Sequence, residues 1–386
     1  MRDSVVPPSP PTRPGFCEFF AGGGMVRAGL GPAWDCLFAN DIDPRKAASY
    51  RANWDGGQEL YLGDVAEVGA GDIRGVPDLV WGSFPCQDLS LAGTGAGLGG
   101  ARSGTFHAFW DVVRGLIADG RAPSIVAIEN VCGALTSRGG RDFETICRTF
   151  VEAGYRPGAM VIDASRFVPQ SRPRLFVVGV RETWAVPPDL IGEAALPHIA
   201  SPALVAAVAA LPPDLRRALI WWRLPEPGRR NQGLGDLIET DPRDVRWHGV
   251  DETRRLLEMM SPVNLAKVRA AQAEGRPQVG TIYRRTRRGL SGERLQRAEV
   301  RFDQIAGCLR TPAGGSSRQT VLCVDGPRIR SRLMSGRETA RLMGLPDSYR
   351  LPSASSEAYR LTGDGVVVPV VAWLAQTLFA PLLASR

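Results

Sequence analysis

Between Gly15 and Val180 the chain alternates short, apolar, β-rich runs with segments of helical periodicity, and this alternation limits the fold more than any other feature. The strand candidates are residues 15–20, 36–41, 78–84, 124–130, 159–163 and 174–180. Strands spaced by helical patterns in this way predict a doubly wound, Rossmann-like α/β sheet. Such sheets bind ligands in the crevice outside the carboxyl ends of their strands. The Gly-rich segment Phe20-Ala21-Gly22-Gly23-Gly24, Asp41, Phe84-Pro85-Cys86 and Glu129 all fall at such ends, which predicts that they share one site.

From about Thr183 to Asp303 the periodicity breaks down. Prolines cluster at Pro187-Pro188, Pro197, Pro202 and Pro212-Pro213, two stretches (202–223 and 251–274) read as helices, and the remainder reads as irregular and basic. The expected organisation is a disordered tail over 1–14, an α/β domain over 15–182, a smaller irregular domain over 183–357, and a segment over 358–386 that returns to the first domain. At 386 residues with 44% hydrophobic content, two domains can each bury a core. The net charge is +7, but residues 276–341 hold 15 arginines against 5 acidic residues, so the basic excess is local and favours phosphate contacts.

The seven cysteines form no Cys-x-x-Cys pair and no metal-ligand spacing, which predicts free thiols in a reducing cytoplasm and no metal. No apolar run reads as long enough to span a bilayer, because Pro369, Gln376 and Pro381 interrupt the C-terminal stretch. The Pro-rich start does not read as a signal peptide. Cys86 follows a buried run, where a thiol can be rigidly placed yet reachable, although an isolated cysteine is more often a small buried hydrophobe.

Three further segments complete an ordered set with Phe84-Pro85-Cys86-Gln87: Phe20 to Gly24 upstream, then Glu129-Asn130-Val131, then Gln170-Ser171-Arg172-Pro173-Arg174. In this order they resemble the motifs of bacterial cytosine-5 DNA methyltransferases. The likeness resumes from Arg332-Leu333 to Pro346-Asp347 and at Gly363-Asp364-Gly365-Val366, and leaves out the N-terminal tail and roughly residues 183–305.

The resemblance implies S-adenosyl-L-methionine as cofactor, cradled by Phe20, Ala21, Gly22, Gly23 and Gly24. Asp41 would take the ribose hydroxyls, and Ile42 stands where the family often has an aromatic residue. Asp64 and Val65 would meet the adenine, with Pro85, Asp364 and Val366 completing the site. Cys86 would be the nucleophile, a thiol whose ordinary pKa of about 8.5 calls for activation by its surroundings. Glu129 would hydrogen-bond cytosine N3, as a donor if a desolvated pocket keeps it protonated. Of Arg172 and Arg174, one would order the pocket and contact the base carbonyl region while the other supports it. Gln87 and Ser90, with Arg284, Arg285, Arg287 and Arg288 of the basic run, would contact DNA. The five glycines within Leu91–Ser103 would make a mobile lid. Asp364 replaces the usual asparagine, either changing the local charge or acting as an isostere. The acceptor of the C5 proton is left open, water included.

The implied partner is double-stranded DNA, met by a cytoplasmic monomer that is compatible with an accompanying restriction endonuclease. Transfer RNA is the competing substrate, and the basic insert after the arginine pair favours duplex DNA. A binding-only protein is disfavoured by the intact Cys86, Glu129 and glycine loop. A nicotinamide enzyme is disfavoured because Gly22-Gly23-Gly24 lacks the Gly-x-Gly-x-x-Gly spacing.

Overall fold

A computed structural model describes residues 13–84, 104–288, 293–311 and 318–385, with backbone alone at 287, 288 and 294. The large sheet contains β1 (Gly15–Phe19), β2 (Asp35–Asp41), β3 (Leu60–Leu62), β4 (Leu79–Gly82), β5 (Ile125–Val131), β6 (Tyr155–Asp163) and β7 (Pro173–Arg181). Their spatial order is β3-β2-β1-β4-β5-β7-β6, with β7 antiparallel between β5 and β6 and the other pairs parallel. The chain leaves β1 for β2 on one side and continues at β4 on the other, so the crevice where strand order reverses opens at the end of β1. β3 escaped the sequence reading because Leu60-Tyr61-Leu62 is too short to show a strand period, and Tyr61 and Leu62 are exposed.

Helices cover both faces, which is why the central strands are buried end to end. The early helices are α1 (Met25–Leu30), α2 (Pro44–Asn53), α3 (Gly104–Ala118) and α4 (Arg141–Glu152). In α3, Phe106, Phe109, Trp110, Val113 and Leu116 recur at helical spacing and make the buried stripe. Phe109 meets Phe19 of β1 edge-on at 5.3 Å, and Trp110 meets Phe150 of α4 at 4.8 Å. Strand alternation divides the core: Phe16, Leu79 and Trp81 join one apolar cluster, and Cys17, Phe19 and Val80 the other.

The two long helices expected after Thr183 are each broken at proline. The first becomes α5 (Pro202–Ala209) and α6 (Pro213–Ala218), and its last residues form a strand, β9 (Trp221–Trp222), that pairs with β8 (Ile191–Gly192). The second becomes α7 (Val250–Glu258) and α8 (Pro262–Ala273). Proline lacks the amide that continues a helix but suits its first turn, where Pro202, Pro213 and Pro262 sit.

The expected irregular character of the basic region is also corrected. β10 (Gln278–Arg288), β11 (Arg294–Arg301), β12 (Thr320–Asp325) and β13 (Arg328–Leu333) form an antiparallel sheet in the order β11-β10-β12-β13. Ile282, Ala298, Val300, Leu322 and Val324 face a small core against Val268 and Ala271 of α8. The many arginines along β10, β11 and β13 left too few apolar residues in alternation to signal these strands.

The chain ends in α9 (Gly336–Leu342), α10 (Ser355–Asp364), α11 (Val368–Leu374) and α12 (Ala380–Ala384), with a π-helical turn at Ala375–Phe379. By length and composition alone the helical stretch Ser355–Ala384 is apolar enough to cross a membrane, but its packing is that of the buried helix that the interrupted sequence favours. Its most apolar part is 56% buried, and Leu361, Val371, Leu374, Leu378 and Phe379 lie in the core of the large sheet, beside Met334, Ala340 and Leu345. Gly29 lets α11 approach α1, since a Cβ there would sit 2.4 Å from that of Val371. Arg332 and Glu338, both fully buried, pair at 2.6 Å at the start of α9.

Glu18 of β1 is buried beneath α1 and accepts from the amides of Val26 (3.2 Å) and Arg27 (3.3 Å). Burial pushes its carboxyl up to about 8, against the opposing pull of those amides. A raised acid holds its proton in the folded state, so this stabilisation is complete below the unfolded value of about 4.5 and is lost as pH rises through about 8. Glu18→Gln should therefore flatten the fall in Tm between pH 5 and pH 8.5. The variant should gain on the order of 5 °C over wild type at the upper end. Parallel Tm–pH curves for the two proteins in thermal melts would rule out this role.

Candidate functional site

The turn after β1 enters α1 with Phe20, Gly22 and Gly24 in left-handed conformations, φ 59°, 57° and 77°. Such angles strain a residue with a Cβ, as at Phe20, and suit glycine. The three glycines have different tasks. A Cβ on Gly22 would meet nothing within 4 Å, so this side of the turn is open. A Cβ on Gly23 would lie 2.2 Å from the Tyr349 hydroxyl, and one on Gly24 would lie 2.2 Å from the Trp54 indole nitrogen. Those two groups donate to the Gly23 carbonyl at 2.8 and 3.0 Å, so the turn is clamped on one side and accessible on the other.

Asp41 ends β2 beside this turn. It is buried, and its carboxylate accepts from the Gly22 amide (2.8 Å) and the Asp43 amide (2.8 Å). Burial raises its pKa, opposed chiefly by the nearby Lys46. Ile42, the next residue, is 63% exposed, and Leu62, the register partner of Asp41 on β3, is 39% exposed. Two large apolar side chains flanking a carboxylate at a strand end make a surface suited to a flat ligand.

Asn40 donates to the Gly63 carbonyl at 2.9 Å, fixing the chain before Asp64. Asp64 caps the short turn Val65–Glu67 by accepting from the Ala66 amide and is itself exposed, whereas Val65 is buried. Asp364 ends α10 and pairs with Lys46 at 2.8 Å. Val366 is buried in the core, and Gly365 packs where a Cβ would meet the Met25 sulfur at the start of α1. Phe20 to Gly24, Asp41, Ile42, Asp64 and Asp364 thus gather around the ends of β1, β2 and β3.

The second half of the site lies at the end of β5. Glu129 is buried, and its Oε1 is 3.1 Å from Nε of Arg174, which enters on β7. Arg172 and Arg174 are two residues apart, and strand alternation puts both on one face with exposed Pro173 turned away. Their tasks differ. Arg172 is buried and donates to the carbonyls of Leu309 (3.0 Å), Gly363 (2.9 Å) and Gly365 (2.8 Å). Burial, then Arg174, pull its pKa below the usual arginine value. Arg172 therefore holds backbone, and Arg174 is the arginine beside the acid. Gln170 adds a second tie, accepting from the Leu309 amide at 3.0 Å and donating to the Leu342 carbonyl at 2.8 Å.

Several neighbours were missed by sequence reasoning. Cys308 lies between the arginines, 3.5 Å from Arg172 and 4.0 Å from Arg174. Burial pushes its thiol up, but the two guanidiniums outweigh it and leave the pKa below its usual value. Cys132, just past β5, is pushed up to about 11 by burial. Neither belongs to a motif, and Cys308 is 134 residues from Arg174 in sequence, so no local signal marked it. Lys46 carried no motif either, although it is one of only two lysines in the chain.

Pro85, Cys86, Gln87, Ser90 and the expected lid at 91–103 lie outside the described residues. The strand that leads to them is described. Phe84 is buried against Phe106 at 5.1 Å, and its carbonyl accepts from Asn130 at 3.3 Å. The residue next to Glu129 is thus bonded to the chain two positions before Cys86.

On the small sheet, Arg284 and Arg285 are exposed and project to opposite faces of β10. Arg285 stacks 4.8 Å above the Tyr283 ring and lies 3.7 Å from Glu299. Arg287 and Arg288 continue the same strand. Among the described residues, no group of three or more His, Cys, Asp or Glu is placed to hold a metal.

Residues 15–380 match the family described as C-5 cytosine-specific DNA methylase. The chain is 28% identical over 379 residues to the Type II methyltransferase M.NlaX of Neisseria lactamica, covering 95% of this chain and 96% of that protein. It is 26% identical over 377 residues to M.HhaI of Haemophilus parahaemolyticus, with 95% and 94% covered. Its fold is similar to that of Entamoeba histolytica methyltransferase EhMeth, with TM-score 0.61 and 13% identity over 97% of this chain and 98% of that one. It is also similar to the S. pombe Dnmt2 methyltransferase, with TM-score 0.55 and 17% identity over 94% and 97% of the two chains. With its motifs gathered at neighbouring strand ends and the family match running over nearly its whole length, the chain belongs to the C-5 cytosine-specific DNA methylases and is a DNA cytosine-5 methyltransferase.

Proposed function

We propose that the protein methylates C5 of a cytosine extruded from duplex DNA, with S-adenosylmethionine as donor and a covalent Cys86 adduct at C6 as the intermediate. The observation that carries this reading is the Glu129–Arg174 pair at the end of β5, bonded through Asn130 to the carbonyl of Phe84. It brings the acid to the strand end from which Pro85-Cys86 departs, one strand away from the turn after β1. A duplex hides C5 and C6 in its stack, so chemistry there requires the nucleotide to leave it.

The residues around that turn fit the cofactor. The open side of Gly22 admits a ligand close to backbone, the Asp41 carboxylate suits vicinal hydroxyls, and Ile42 and Leu62 offer apolar contact to a purine. When bound, S-adenosylmethionine supplies an electrophilic methyl group. Asp64, Val65, Pro85, Asp364 and Val366 are assigned to the same site, as the motif order implies.

Cytosine C5 is a weak nucleophile until the ring is activated. The Cys86 thiolate adds to C6, and the displaced electron pair moves into the ring toward N3, where Glu129 hydrogen-bonds. Arg174 holds the Glu129 carboxylate in place and adds positive charge beside the developing negative charge. C5 then takes the methyl group. Loss of the C5 proton to a base returns an electron pair that re-forms C5=C6 and expels the thiolate. Arg172 works from behind by holding Leu309, Gly363 and Gly365. Gln87 and Ser90 are assigned to the DNA near the target, and Arg284, Arg285, Arg287 and Arg288 to its phosphates, with sequence choice in roughly residues 183–305. The setting is a monomer in the bacterial cytoplasm, compatible with a companion restriction endonuclease.

Cys86→Ser should reduce tritiated methyl incorporation into DNA by at least about 10³-fold while preserving cofactor binding. Substantial turnover by that variant would remove Cys86 as nucleophile. Glu129→Gln should lower the single-turnover rate by about 10²-fold or more with little change in DNA affinity, and an unchanged rate would make Glu129 structural. Changing Arg284 and Arg285 together to Ala should weaken binding to all duplex sequences alike. The log–log salt slope should flatten by up to about 1.8, at about 0.9 for each phosphate that is no longer neutralised. An unaltered slope in salt titrations would show this strand to be a solvated face.

A further inference from the structure

The turn Gly363-Asp364-Gly365 is held from two directions. Arg172, from the target side, binds the carbonyls on either side of Asp364 at 2.9 and 2.8 Å. Lys46, from α2 on the cofactor side, binds the Asp364 carboxylate at 2.8 Å, and the Thr311 hydroxyl donates to its other oxygen. Burial pulls the Lys46 ammonium down, but Asp364 and Asp41 outweigh it and leave its pKa raised. The aspartate that stands in place of the family's usual asparagine therefore has its own counter-ion, and that counter-ion also acts on Asp41, the carboxylate beside the glycine turn.

We propose that Lys46 is a positioning and specificity-determining residue that fixes Asp364 and sets the charge balance sensed by the cofactor. Asp41, Asp364 and Lys46 together carry one net negative charge. The methyl donor is a sulfonium cation at the atom that reacts, and the demethylated product is a neutral thioether there. A charge change in this trio shifts the affinity for donor relative to product, whereas loosening of the fold weakens both in proportion. This inference rests on the cofactor reading above.

The test is equilibrium binding of S-adenosylmethionine and S-adenosylhomocysteine, each measured by calorimetry without DNA. Lys46→Met leaves two negative charges and should raise the product-to-donor ratio of Kd values roughly fivefold, the size of one unit charge near a partly solvated site. Asp364→Asn leaves none and should lower that ratio by a similar factor. Lys46→Arg should keep the wild-type ratio, and the double change Lys46→Met with Asp364→Asn should return to it within about twofold. If Lys46→Met does not fold, Asp364→Asn carries the test through the opposite sign. Single variants that weaken both ligands equally would overturn the proposal. A folded wild type that binds neither ligand would instead overturn the cofactor reading on which it stands.

Discussion

A buried guanidinium with no carboxylate in salt-bridge range among the described residues is the interaction on which the site depends. Arg172 lies at the entry to β7, and the carbonyls of Leu309, Gly363 and Gly365 converge on it. Removing such a charge from water costs several kcal/mol, which is offset only where several dipoles point at it together. Those dipoles come from the segment after β11 and from the end of α10, so the cation requires both to be in place. In turn it fixes Asp364 for Lys46 and Cys308 between the arginines. The large sheet, the segment after β11 and the C-terminal helices meet at one side chain.

This division of labour frees Arg174. Alternation along β7 gives both arginines the same face, but Arg172 is surrounded by backbone and Arg174 reaches Glu129 across the β5–β7 ladder. The cofactor half shows the same economy. Asp41 binds the Gly22 amide, while Gly23 and Gly24 make room for Tyr349 and Trp54. Tyr349 comes from beyond α9, so the far end of the chain clamps the first turn of the sheet. Residues at these strand ends are thus supported by contacts of very long sequence separation, which ties the C-terminal segment to the large sheet.

The smaller sheet is organised differently. Its core is thin, and Arg284, Arg285 and Arg297 are exposed along β10 and β11. The buried Arg332–Glu338 pair, with the Ser335 cap and the Glu239 backbone, joins β13 to α9 and so connects this sheet to the large one. Arg330 and Arg332 stack on Trp247 at 4.1 and 5.0 Å, tying the segment before α7 to the same junction. A sheet with exposed arginines is therefore anchored to the helices that pack against the large sheet.

Local sequence was enough to determine the alternation that builds the large sheet, the strand ends where Gly22, Asp41 and Glu129 emerge, and the one-face spacing of Arg172 and Arg174. These follow from backbone periodicity and turn chemistry, which act over a few residues. It also exposed the motif order that placed the chain in its family. It missed β3, whose three apolar residues are too few to show a period, the proline breaks within the two expected helices, and the arginine-rich sheet whose many charges obscured its apolar pattern. Only tertiary structure decided which arginine meets Glu129, that Cys308 lies between the two, and that Lys46 neutralises Asp364. Those outcomes depend on electrostatics and burial between residues up to 318 positions apart, and no window of sequence contains both partners.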